Sequence, residues 1–108
     1  MCMYQIFFYV PETHVEQVKE AIFFAGAGCV GNYSHCSWQV KGEGQFLSLA
    51  GSNPYLGEIG KVEKVIEYKV ETVCEEQYLD AVLKALHVAH PYETPAFGVV
   101  NMRKLRNG

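Results

Sequence analysis

The chain has 108 residues and a mass of 12.1 kDa, which suits one domain of ordinary size and not two. Its 49% hydrophobic and 19% charged residues can form a buried core and lie outside disordered composition. A net charge of −3 gives no basic footprint for nucleic acid or an anionic membrane surface, four cysteines are too few for a disulfide scaffold, and no apolar run approaches the roughly 20 residues of a membrane span.

The opening residues, Met1-Cys2-Met3-Tyr4-Gln5-Ile6, show no cationic leader and no small-residue cleavage site, so no signal peptide is expected. Cys2, Cys29, Cys36 and Cys74 contain no C-x-x-C pair. They are expected to be reduced thiols, mostly buried as small hydrophobes, in a cytoplasm.

Tyr4 to Val10 is a β-branched and aromatic run, apolar on both alternating faces, as in a central strand covered on both sides. Pro11 stops it. Thr13 and Glu16 form a T-x-x-E capping box, and Val15, Val18, Ile22 and Ala25 follow at helical spacing. The pattern predicts a helix over 13–25, stopped by Gly26 and Gly28. After a turn at Gly31-Asn32-Tyr33, Cys36, Trp38 and Val40 alternate with Ser37, Gln39 and Lys41 as a half-buried strand. Gly42-Glu43-Gly44 predicts a hairpin turn, with Phe46 and Leu47 on a short return strand. Residues 50–60 are a loop by composition, but Tyr55, Leu56 and Ile59 predict that it lies against something.

Residues 61–73 are the clearest strand, with Ile66, Tyr68, Val70 and Thr72 facing one way and Glu67, Lys69 and Glu71 the other. A second helix is expected to begin at Thr72 or Cys74, to carry the stripe Leu79, Val82, Leu83 and Leu86, and to end near His90, because a residue before proline disfavours the α region. His90 to Pro95 is a loop pinned by two prolines, and Phe97 to Met102 is the last strand. Phe8, Val18, Ile22, Val70, Leu79, Val82 and Leu86 are the predicted core.

The order β-α-β, extra short strand, β-α-β predicts one α+β domain over residues 1–108. The expected architecture is a ferredoxin-like split βαβ sandwich, an antiparallel sheet with two helices on one face. The other face is left bare, either wetted by Glu67, Lys69 and Glu71 or covered by another subunit over Trp38 and Tyr68.

Four motifs follow one another in order: Gly31-Asn32-Tyr33-Ser34-His35-Cys36-Ser37, Gly42-x-Gly44-x-Phe46, Asn53-Pro54-x-x-Gly57-x-x-Gly60-x-x-Glu63, and His90-Pro91-Tyr92-Glu93. Together they resemble the insert domain of the NGG-interacting-factor-like proteins, over about residues 3–105. The resemblance implies a fold like that of the PII signalling and CutA metal-tolerance proteins, which are trimers. In long family members two flanking lobes carry a two-metal centre. This chain is expected to hold the insert alone, so no residue here inherits that centre.

Four constellations are weighed for chemistry. His87-x-x-His90 puts two imidazoles on one helix face, with Glu93 following, a donor set that suits Zn²⁺ or a similar divalent ion. Alternatively, His87 caps the last turn and His90 bonds loop backbone. His35 beside Cys36 suggests a Cys/His nucleophile, but neighbours on a strand point to opposite faces, which leaves His35 a polar surface or intersubunit role. The glycines from Gly51 to Gly60 match no phosphate-binding pattern, and the sheet lacks a base-stacking signature.

Ferredoxin-like topology is expected to gather Pro11, the Gly42–Gly60 region and His90–Glu93 at one end of the sheet. His90, Tyr92 and Glu93 are therefore the best candidate ligand site, joined by His35 only if another subunit brings it there. The expectation is an oligomeric binding or regulatory module rather than an enzyme, a trimer before a dimer, with a small ligand or divalent metal and without nucleic acid or membrane partners.

Overall fold

The computed structural model describes residues 3–103. Its elements are β1 (Met3–Pro11), α1 (Val15–Phe24), β2 (Ser37–Leu47), β3 (Val62–Glu75), α2 (Glu76–Ala89) and β4 (Phe97–Met102). The four strands form one sheet in the order β2-β3-β1-β4, and every pairing is antiparallel. Among the described residues no helix is long and apolar enough to cross a membrane.

The core follows the periodicities of the chain. Ile6, Phe8 and Val10 alternate inward from β1, and Val70 and Cys74 do so from β3. Val15, Val18 and Ile22 of α1 and Val82 and Leu86 of α2 close over them. Six of the seven expected core residues are essentially sealed from solvent; Leu79, near the start of α2, is only half-buried and packs against the edge of the cluster. Of the cysteines, only Cys74 is buried, and burial with the neighbouring Glu75 pushes its thiol up to about 11. Cys29 is exposed and Cys36 intermediate, against the expectation of burial, because both lie in the irregular segment between α1 and β2; Cys2 lies outside the described residues.

Several expected boundaries are corrected. The Thr13–Glu16 capping box does not form. A turn closed by the His14 N–H on the Pro11 carbonyl, 2.9 Å, occupies the residues it needs, so α1 starts at Val15. Thr13 Oγ1 instead lies 2.8 Å from His14 Nδ1, and Glu16 pairs with Lys19. The helix stops where Gly26 takes a φ of 125°, which only glycine adopts freely. Thr72 and Cys74 do not open α2; both remain in β3, where they pair with Ile6 and Tyr4 of β1, and the helix begins at Glu76.

The largest correction concerns Gly42-Glu43-Gly44. There is no hairpin turn and no return strand. β2 runs unbroken for 11 residues, and each of them has a partner on the 14-residue β3, Gly42 opposite Glu67 and Gly44 opposite Val65. The four-stranded antiparallel sheet stands as expected, without the extra short strand. Because β1 ends at Pro11, opposite Glu67, the outer halves of β2 and β3 project beyond it as a two-stranded arm, and the described chain measures 51 × 24 × 23 Å.

Both helices pack on one face of the sheet. On the other, β1 is not covered as its two-sided apolar pattern suggests. Phe7 lies over Gly98, with the Lys69 ammonium 5.2 Å from its ring, while Trp38 (58% exposed), Val40, Val100 and Met102 stand in solvent.

Candidate functional site

The segment between β2 and β3 folds back on the arm. A bridge between Ser48 and Ile59 and the Gly60 N–H on the Ser48 carbonyl, 2.8 Å, close its base. The segment from α2 to β4 wraps round the end of β1, held by the Tyr9 N–H on the Ala96 carbonyl, 3.1 Å. Between these two segments and the open face of the arm lies a cleft of about 580 Å³. Tyr9, two residues before Pro11, the stretches Gly44 to Leu49 and Ser52 to Leu56, and the residues Tyr92 to Thr94 meet there within one subunit.

Tyr92 is the hub. Its ring centroid stands 5.9 Å from Phe46, 6.4 Å from Tyr55 and 5.0 Å from His90. Its hydroxyl donates to Glu67 Oε2 at 2.9 Å. Burial, reinforced by the Glu67 carboxylate, pushes the phenol well above its usual range, so Tyr92 is a neutral donor at physiological pH. Glu93 Oε1 accepts the Asn53 N–H at 3.2 Å and ties the two segments together.

His90 is buried and held at both ring nitrogens. Nε2 lies 2.7 Å from the Tyr9 carbonyl, and Nδ1 lies 3.2 Å from the Tyr92 N–H. A carbonyl only accepts and an amide N–H only donates, so the proton sits on Nε2 and Nδ1 is bare. Burial lowers the His90 pKa, with His14 and His87 adding to the effect and the Tyr9 carbonyl opposing it. His90 thus sets the backbone that aims Tyr92 and does not itself face the cleft.

The three residues considered as metal ligands do not come together. His87 is exposed, with Nδ1 3.0 Å from the Leu83 carbonyl and its ring edge-on to Phe97. His90 has no lone pair left, and Glu93 turns to Asn53. Among the described residues no group of three or more His, Cys, Asp or Glu is arranged to hold a metal ion. His35 is also elsewhere. It precedes β2, takes a φ of 60° and packs on Phe23, 4.9 Å between ring centroids, so the cis alternation expected of a strand does not apply to it. Phe46 lies nine residues up β2 from Ser37, about 30 Å along an extended strand.

Glu67 is the site residue that the sequence reading assigns only to wetting the sheet. Its signal lies in the glycines across from it. The Glu67 side chain passes directly over Gly44, where a Cβ would overlap the carboxylate. Gly44→Ala is therefore expected to displace Glu67 and break its bond to Tyr92, costing about 1 kcal/mol in urea unfolding. That cost should vanish in a Glu67→Ala background, as a double-mutant cycle would detect.

The fold and the cleft define the class of protein: an α+β ferredoxin-like module with a helix-free sheet face and a cleft at the base of a β-arm. Its fold is shared by the periplasmic divalent cation tolerance protein CutA from Archaeoglobus fulgidus, at a TM-score of 0.67 and 16% identity over 97% of this chain and 89% of that one. Over most of its length the chain is similar to a segment of NIF3-family proteins. It is 53% identical over 91 residues to the GTP cyclohydrolase 1 type 2 homolog of Mycobacterium leprae and 43% identical over 91 residues to that of Bacillus subtilis, each match covering 84% of this chain and 24% of the relative. The crystal structure of a Bacillus cereus protein related to NIF3 superposes at a TM-score of 0.81 with 37% identity, over 95% of this chain and 26% of that one. The chain thus spans about a quarter of the length of the curated relatives it matches. No protein-family model matches it.

Proposed function

We propose that this chain is a cytoplasmic, homo-oligomeric binding or regulatory module whose ligand site is the cleft around Tyr92. The observation that carries this reading is the pre-set geometry of the cleft: a rigid loop, anchored through His90, brings the aromatic hub Tyr92 and the Glu93 carboxylate to a space of small-molecule size, opposite the Glu67 carboxylate of β3. The helix-free sheet face, with Trp38 and Val40 exposed on β2 at one edge and Val100 and Met102 on β4 at the other, is where a second and third copy pack.

The GTP cyclohydrolase name belongs to relatives of which this chain matches 24%, so GTP enters here as a probe of the cleft and not as a substrate. Native mass spectrometry of the purified chain tests both halves of the proposal. The expected result is three times the 12.1 kDa chain mass, with a small molecule retained. A monomer mass at micromolar concentration defeats the oligomer, and a ligand-free spectrum together with no response of the cleft to any small molecule defeats the site. A divalent metal at one ion per chain would instead favour the alternative reading, a cation- or small-ligand-responsive protein of CutA or PII type.

A further inference from the structure

We propose that the cleft selects a small organic cation, a planar amidinium or guanidinium group carried on an apolar body. This deepens the preceding reading and rests on it. The walls are aromatic: the rings of Phe46 and Tyr55 stand 5.9 and 6.4 Å from that of Tyr92, and Tyr9 adds a fourth. Ring faces are negative, and a cation over them is attracted most strongly where water is displaced. The only charged side chains on the lining are Glu67 and Glu93; no Lys, Arg or His is among its described residues. The two imidazoles nearby back the cage from outside it, His14 edge-on to Tyr55 and His90 behind Tyr92.

Each carboxylate is positioned by one oxygen and keeps the other. Glu67 uses Oε2 for the Tyr92 hydroxyl and lays Oε1 over Gly44, whose missing side chain leaves that oxygen room. Glu93 uses Oε1 for the Asn53 amide and keeps Oε2. A planar N–H fork matches such oxygens, whereas a phosphate or carboxylate would meet like charge with no counter-ion.

The test is a titration of the full chain, followed by the NMR signals of Phe46, Tyr55 and Tyr92, with benzamidine, the neutral benzamide, benzoate and GTP. Benzamidine is expected to saturate these signals at least about tenfold more tightly than benzamide, as charge-assisted hydrogen bonds would give, while benzoate and GTP leave them unmoved. Glu67→Gln and Glu93→Gln each keep an acceptor for their protein partner and should each weaken benzamidine about tenfold with the spectrum otherwise intact. Benzoate or GTP saturating the same signals more tightly than benzamidine overturns the cation assignment while the cleft reading stands. Unchanged benzamidine affinity in both Gln variants overturns the assignment in the same way. Signals that move with protein concentration and with no probe place another copy in the cleft and overturn both.

Discussion

Truncating Leu86 to alanine is expected to cost about 2–5 kcal/mol, read as a drop in the urea midpoint with an unchanged slope. Leu86 is 0% exposed and lies on the stripe of α2 that also carries Val82, against Phe8 and Ile22 of the same sealed cluster. Deleting its branched end removes transfer energy and leaves a cavity that the neighbouring rigid strands cannot fill. Leu79→Ala, two turns earlier on the same stripe, should cost less because Leu79 already meets solvent at one side. A Leu86 loss below about 1 kcal/mol, well short of the cavity range, would contradict the phase of α2.

His90→Ala is expected to cost about 2–4 kcal/mol, since it strips a donor from the Tyr9 carbonyl and an acceptor from the Tyr92 N–H in a buried site. The conservative variants separate the two bonds. Gln can place its amide where Nε2 lies and restore the bond to Tyr9, while Asn can place its oxygen where Nδ1 lies and restore the bond to Tyr92. The variant that frees Tyr92 should also loosen Tyr92 from Glu67, visible in its ring signals.

The same residue carries a pH dependence. Its folded pKa is lowered from the ordinary 6.5, chiefly by burial. Between 6.5 and that lower value the unfolded chain binds a proton that the folded chain does not, so stability is fully present above 6.5 and declines as the pH falls below it. The decline levels off once the pH has passed the folded value. Denaturation midpoints measured across this range should slope in the wild type and flatten in His90→Gln.

Parts of this molecule are legible from local spacing. The stripe Leu79, Val82, Leu83, Leu86 phases α2, and the alternation through Tyr68, Val70 and Thr72 phases β3 and its buried face. The end of α2 follows from His90 preceding Pro91. The meeting of the Gly42–Gly60 region with the His90–Glu93 loop follows from element order, because antiparallel pairing of four strands leaves those connections at one end.

Other features depend on contacts between distant residues. Gly42-Glu43-Gly44 carries the local signal of a turn, and only the 14 residues of β3 running alongside convert it into continuous strand. Thr72 and Cys74 precede a helical pattern and stay in the sheet because Tyr4 and Ile6 pair with them. His90 binds a carbonyl 81 residues away and Tyr92 a carboxylate 25 residues away, so neither partner has a signature in its own neighbourhood. Periodicity reports which face of an element is apolar, since that is a property of one segment at a time. Which polar groups meet across the fold is decided by packing, since a hydrogen bond forms only once both segments are held in place, and that is how His90, Glu67 and Glu93 come to shape one cleft.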